Sequence, residues 1–99
     1  MDYQKINKLL KEYDGKGYIS KNIKLFLEFS ILSVKMGESE KIPKIKYFRD
    51  ICKISGRYFV VDWQEEQSFF YCKRICSQPL EVKPIFKESH ILSVEWEEV

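Results

Sequence analysis

Alanine and threonine are absent from the chain, histidine occurs once, at position 90, and no stretch of 18 apolar residues exists. Each shortage closes off a class of structure. Without alanine, the strongest helix former, any long helix must be held by packing. Without an apolar run of spanning length there is no candidate membrane helix, and the polar opening "MDYQKINKLL" lacks the apolar core of a signal peptide. These features point to the cytoplasm, where Cys52, Cys72 and Cys76 would be reduced thiols; the odd count fits. There is no GxGxxG, no P-loop and no GxSxG, so nothing in the motif content marks an enzyme.

What the chain does have is core material. In 99 residues, 44% are apolar and 15% aromatic, enough for one domain, residues 1–99, with its own core. The formal charge of +2 is small and unevenly spread. Residues 41–57 carry six basic groups against Asp50, a balance of +5, while residues 58–99 carry four basic and eight acidic groups, a balance of −4. A bipolar molecule is expected.

Periodicity organises the rest. In "YQKINKLLKEY", residues 3–13, Ile6, Leu9, Leu10 and Tyr13 recur at helical spacing, with Asp2 placed to cap the start and Gly15 to follow the end. The stretch 23–36 alternates as a strand, Ile23 to Ile31 and then, after a slip, Leu32, Val34 and Met36 on the core face, with a β-bulge at Ile31–Leu32. A helix capped by Ser20 and ended by Gly37 is the other reading of it. Residues 43–55, "PKIKYFRDICKIS", fill a helical wheel with Ile45, Tyr47, Phe48, Ile51, Cys52 and Ile54 on one half and Lys46, Arg49, Asp50 and Lys53 on the other, which predicts a helix ended by Gly56.

"RYFVVDW" and "SFFYCKRIC", around the polar "QEEQ", predict a hairpin with Val61 opposite Phe70 and Phe59 opposite Cys72. Its core face would hold Phe59, Val61 and Trp63. Two further strands follow in "LEVKPIFK" and "HILSVEWEEV", the first an edge strand because of Pro84 and the second with Leu92, Val94 and Trp96 inward. The expected fold is α+β: an antiparallel sheet of about four to five strands with two helices, about 3–13 and 43–55, packed on it.

Three stretches resemble chemistry. Residues 12–23 are locally similar to the EF-hand loop, with Gly17 at its glycine position, Tyr18 and Ile19 following, and Asp14 and Ser20 at ligand positions. Lys16 stands inside that ring, however, and Ile23 where the bidentate Glu belongs, so the segment reads as a turn in which Gly15 and Gly17 supply positive φ. Cys72 and Cys76, four apart on a strand and so roughly 13 Å from each other, are too distant to share a zinc ion with Cys52 and His90. The thiols read as buried small hydrophobes. His90 and Ser89, neighbours on a strand, point to opposite faces, and the Glu65–Glu66 and Glu97–Glu98 pairs are solvated. No metal, cofactor or catalytic residue is expected.

Two surfaces remain. One is the outer hairpin face, Tyr58, Phe69, Tyr71 and Lys73, with the acidic loop Asp62, Glu65 and Glu66, suited to a protein partner. The other is the basic arc Lys46, Arg49 and Lys53, extended by Lys44 and Arg57, suited to phosphates. The functional expectation is a non-catalytic module that binds a protein stoichiometrically, as inhibitors, immunity proteins and phage-type accessory factors do. The alternative is a nucleic-acid-binding protein using helix 43–55 and the adjacent hairpin. The expectation includes no membrane partner and leaves the oligomeric state open, a homodimer included.

Overall fold

The computed structural model describes residues 3–20, 22–86 and 94–99. Along the chain run α1 (Tyr3–Lys16), α2 (Lys24–Leu27), β1 (Ser30–Ser39), β2 (Lys44–Ile54), β3 (Arg57–Gln67), β4 (Cys72–Cys76), β5 (Leu80–Phe86) and β6 (Val94–Glu98). The strands form one antiparallel sheet in the order β1-β2-β3-β5-β6, with β4 also pairing with β3. One edge of β3 is thus shared: β4 takes Trp63–Gln67 and β5 takes Tyr58–Val60. The class is α+β, as the sequence indicates.

Residues 43–55 are not a helix. They form the central strand β2, paired along its length with β1 and β3. The isoleucines at 45, 51 and 54 and the aromatics at 47 and 48 favour extended backbone. The objection that a strand would place charge on both faces fails because each face supplies local compensation. Asp50 accepts hydrogen bonds from Ser33 and the Trp63 indole, Arg49 pairs with Asp62, and the Lys53 ammonium lies 5.5 Å from the centre of the Tyr58 ring. Gly56 does not end a helix. With Ser55 at φ 50° and Gly56 at φ 75°, it closes a two-residue hairpin turn whose twist suits flanking strands.

The second helix is instead the single turn Lys24–Leu27, cut from a stretch whose alternation predicts continuous strand. It places Phe26 edge-on against Phe59, ring centroids 5.2 Å apart, and Phe26 is buried. Strand begins at Ser30, and the expected bulge is present: the register with β2 shifts between Ser30 and Leu32. A second shift lies between Lys35 and Gly37.

The turn of the β3–β4 hairpin falls at residues 68–71 rather than 64–67. "QEEQ" is strand because its neighbours carry the complementary charges: Lys46 and Arg74 flank Glu65, and Lys73 faces Glu66 at 3.1 Å. Val61 therefore pairs with Asp50 rather than Phe70, and Cys72 with Gln67 rather than Phe59. β5 pairs with β3 through Leu80–Val82 and with β6 through Val82–Phe86, so it is not an edge strand along its length, yet Pro84 lies where only β6 pairs with it among the described residues. The inward placement expected for Leu92 lies outside the described residues.

The helices cover one end of one sheet face. Ile6, Leu9 and Leu10 of α1, with Ile19 and Phe26, bury Cys52, Ile54, Phe59 and Val61. Tyr13 packs edge-on to Phe59 at 5.3 Å, and its hydroxyl accepts a hydrogen bond from the Glu81 N–H. Arg57 ties α1 to the sheet by donating to both Asp14 and Glu81, which raises its pKa through the Glu81 bond first and the Asp14 bond second. Helix α1 continues to Lys16, so Gly15 is helical and, of the two glycines, only Gly17 takes positive φ; Asn22 also does, at φ 60°.

Candidate functional site

The strands β2 and β3 are each eleven residues long, about 36 Å at 3.3 Å per residue. The helices reach only the half that contains Cys52–Ile54 and Arg57–Val61. Among the described residues no helix covers the opposite face of the other half, while on the helix side the α2 segment approaches Arg74–Cys76 across a cleft. Pairing sorts the side chains: Lys44, Lys46, Phe48 and Asp50 share the helix side with Gln67, Glu65, Trp63 and Val61, while Ile45, Tyr47, Arg49, Ile51 and Lys53 share the opposite side with Glu66, Gln64, Asp62, Val60 and Tyr58.

On that opposite side, register places Leu32 beside Ile51 and Val34 beside Arg49, with Met36 in the second bulge next to Tyr47 and Ile75 across from Gln64. Leu32, Val34, Met36, Tyr47 and Ile75 are all solvent-exposed. Met36, Tyr47 and Ile75 join Arg49, Asp62 and Gln64 around a shallow groove of ≈ 380 Å³. At its floor Arg49 donates Nε to Asp62 Oδ1 at 2.7 Å and a terminal nitrogen to Oδ2 at 3.0 Å, a planar fork. The Asp62 bond holds the guanidinium pKa above its ordinary value. The groove is therefore apolar with one internally neutralised ion pair. Its outer wall, β1, pairs among the described residues with β2 alone, which leaves the far edge of a ten-residue strand open to them.

The residues expected to form an aromatic face do not meet. Tyr58 stands near one end of β3 and is half-covered, tilted against Trp96 with centroids 5.1 Å apart. Phe69 and Tyr71 belong to the 68–71 turn at the other end, where Phe69 is 80% and Phe70 96% exposed. Nine positions of strand, from Tyr58 to Gln67, put these ends about 30 Å apart. Glu65 and Glu66 sit in β3 instead of a loop, Glu66 paired with Lys73, and Lys73 also lies 5.3 Å from the Tyr71 ring centre. Asp62 alone of that set lines the groove.

The basic arc is likewise dispersed, because its helix does not exist. Lys44 and Lys46 are on one sheet face and Arg49 and Lys53 on the other, while Arg57 is committed to Asp14 and Glu81.

The nucleophile and metal candidates are accounted for by local bonding. Burial, with a smaller contribution from nearby Asp50, pushes the Cys52 thiol up to about 12. The Cys76 thiol is also raised by burial, against partial opposition from Lys24 and Arg74. Cys72 is exposed, contrary to the expectation of three buried thiols. In the calcium-like segment, Glu12 accepts hydrogen bonds from the Ser20 N–H and hydroxyl, which lower its pKa, and Asp14 is held by Arg57. Among the described residues no three His, Cys, Asp or Glu side chains stand together as a metal site. His90 lies outside the described residues.

Sequence reasoning missed Leu32, Val34 and Met36 as surface residues. Their alternation was legible, but alternation marks a common face without saying which face is covered. Comparison with protein-family models, curated proteins and solved structures finds no match for this chain.

Proposed function

We propose that this protein is a non-catalytic module that binds another protein in fixed stoichiometry, the mode of action of inhibitors and immunity proteins, and that the contact is the uncovered sheet face. The observation that carries this reading is the run of exposed apolar side chains on the adjacent strands β1 and β2, Leu32, Val34, Met36 and Tyr47, with Ile75 of β4 beyond Gln64 of the intervening β3, beside the edge of β1 that is open among the described residues. Isolated exposed apolar residues are ordinary; a contiguous group beside an unpaired strand edge is the pattern of an interaction site. The partner that fits presents an extended segment with apolar side chains at alternate positions, which adds to β1 through main-chain hydrogen bonds and seats those side chains in the groove. Arg49 and Asp62, already neutralising each other, can be covered without leaving an unpaired buried charge.

A photo-crosslinking residue at position 34, with a control at exposed Lys83 on the far side of the sheet, tests this in cells. Position 34 should yield one discrete protein adduct that position 83 does not. Adducts of the same pattern from both positions, or a nuclease-sensitive nucleic-acid adduct, would overturn the reading.

A further inference from the structure

A second concavity lies elsewhere, between the segment around α2 and strand β4. It is a cleft of ≈ 630 Å³ whose charged lining is Lys5, Lys24 and Arg74 against Glu28. An adjoining concavity, which shares Lys5, Ser20 and Asn22, adds Lys8 and Lys16 against Glu12, and Glu12 is already engaged by Ser20 and Lys16. The field in the cleft is positive.

The three arginines of the chain are not equivalent. Arg49 is bound to Asp62, and Arg57 to Asp14 and Glu81. Arg74 faces Glu65 across the β3–β4 ladder but is not within ion-pair distance of it or of another carboxylate among the described residues. Its guanidinium carbon lies 4.3 Å from the centre of the Trp63 ring, and the Phe48 ring stacks on the same indole with centroids 4.3 Å apart and planes 15° from parallel. Two groups that close cannot occupy one face of a ring, so the indole is sandwiched. Its orientation is set from within: Trp63 Nε1–H donates to Asp50 Oδ1 at 2.9 Å, and buried Asp50 also accepts from the Ser33 hydroxyl at 2.6 Å. A buried acid thus fixes an indole, and the guanidinium of Arg74 rests against that indole at the lining of the cleft.

We propose that this cleft binds the phosphate group of a small phosphorylated molecule, with Arg74 as a bidentate anchor and Lys24 as the second cation. A guanidinium resting on an indole has given up part of the rotamer freedom that binding would otherwise cost, and its fork matches two phosphate oxygens. A dianion satisfies both cations where a single carboxylate satisfies one. The volume falls within the roughly 300–1,000 Å³ usual for small-molecule sites, so the organic part of the ligand has room beside Asn22 and Lys5. The cleft and the groove share Ile75 and Cys76 but are lined by different charged residues, so the anion test at Arg74 and Lys24 can fail without the sheet-face reading failing.

The test uses the full chain with Trp96→Phe, which leaves Trp63 as its one indole. Pyrophosphate, adenosine monophosphate and citrate are titrated separately while Trp63 fluorescence and the Trp63 indole and Arg74 side-chain NMR resonances are followed. Saturable shifts with pyrophosphate or the nucleotide are expected, weakening several-fold between 50 and 200 mM salt. Tighter binding of the nucleotide would identify a site that also holds the organic moiety, and equal binding a site for the phosphate alone; both support the proposal. Arg74→Gln should weaken binding at least about tenfold, as loss of charged hydrogen bonds implies, Arg74→Lys less, and Arg49→Gln not at all. Because Arg74 is exposed, an unchanged circular dichroism spectrum is expected for these variants. Absence of a saturable shift, wild-type affinity in Arg74→Gln, or citrate binding as tightly as pyrophosphate would overturn the assignment.

Discussion

Two leucine truncations separate the covered sheet face from the open one. Leu9 on α1 is 9% exposed and belongs to the core cluster, whereas Leu32 on β1 is 48% exposed and lies on the groove side. The chemical change, Leu→Ala, is the same at both. At Leu9 the full transfer term and a cavity beneath α1 should together cost about 2–4 kcal/mol. At Leu32 only about half of the side chain is buried, so roughly 1 kcal/mol of transfer is lost, plus a few tenths for the poorer strand propensity of alanine. The expected difference is thus about 0.7–2.7 kcal/mol, centred at about 1.7, against a total stability on the order of 5–10 kcal/mol for a chain of this size. With a urea m-value of about 1–1.5 kcal/mol/M, the two midpoints should differ by about 1 M, read by tryptophan fluorescence with unchanged slopes. Equal losses would refute the argument, since they would mean that Leu32 is packed as deeply as Leu9 and that the groove is not open.

Other consequences follow from individual groups. Gly56→Ala forces a Cβ onto a residue at φ 75° and should cost about 1 kcal/mol, measured by urea unfolding. The Glu12 and Asp14 carboxyls are held below their ordinary range, by Ser20 hydrogen bonds and by Arg57 respectively. Their contribution is therefore complete above the unfolded carboxylate range near pH 4 and disappears as pH falls through the lower folded values; Asp14→Asn should flatten the decline in thermal midpoint between about pH 5 and 2. With a thiol reagent at pH 8, exposed Cys72 should react first and half-buried Cys76 more slowly, while buried Cys52, pushed up to about 12, should react only on unfolding. Simultaneous reaction of all three in the folded protein would contradict the packing around Phe59.

How much of this was legible in the sequence depends on whether a signal was local. The α1 periodicity at Ile6, Leu9, Leu10 and Tyr13, the strand character of residues 57–63 and 80–86, and the bulge near Ile31 all rest on neighbours in the chain, and all are present. The two errors over residues 43–55 and 64–67 share one cause, the use of charge placement as if each segment faced water alone. Residues 43–55 segregate charges on a helical wheel, yet in the sheet Asp50, Arg49 and Lys53 each find a partner on another strand. "QEEQ" reads as a loop until Lys46, Lys73 and Arg74 are set beside it. The same limit hid the groove: that Leu32, Val34 and Met36 share a face is written in their spacing, but that the helices stop short of that end, and lie on the other side, follows only from tertiary placement. The Phe48–Trp63–Arg74 stack joins three strands and had no sequence signal.

The claim that matters most is that the sheet face opposite the helices is where a partner protein sits. Its most direct measurement is the dissociation constant of the purified complex, with the crosslinked partner, for the wild type and for Val34→Asp/Tyr47→Asp. Two charges placed in the centre of the contact should weaken binding at least about 30-fold, the loss of a hot-spot residue or more, with no matching fall in the thermal midpoint of the free protein. An unchanged dissociation constant in a folded variant would contradict the account.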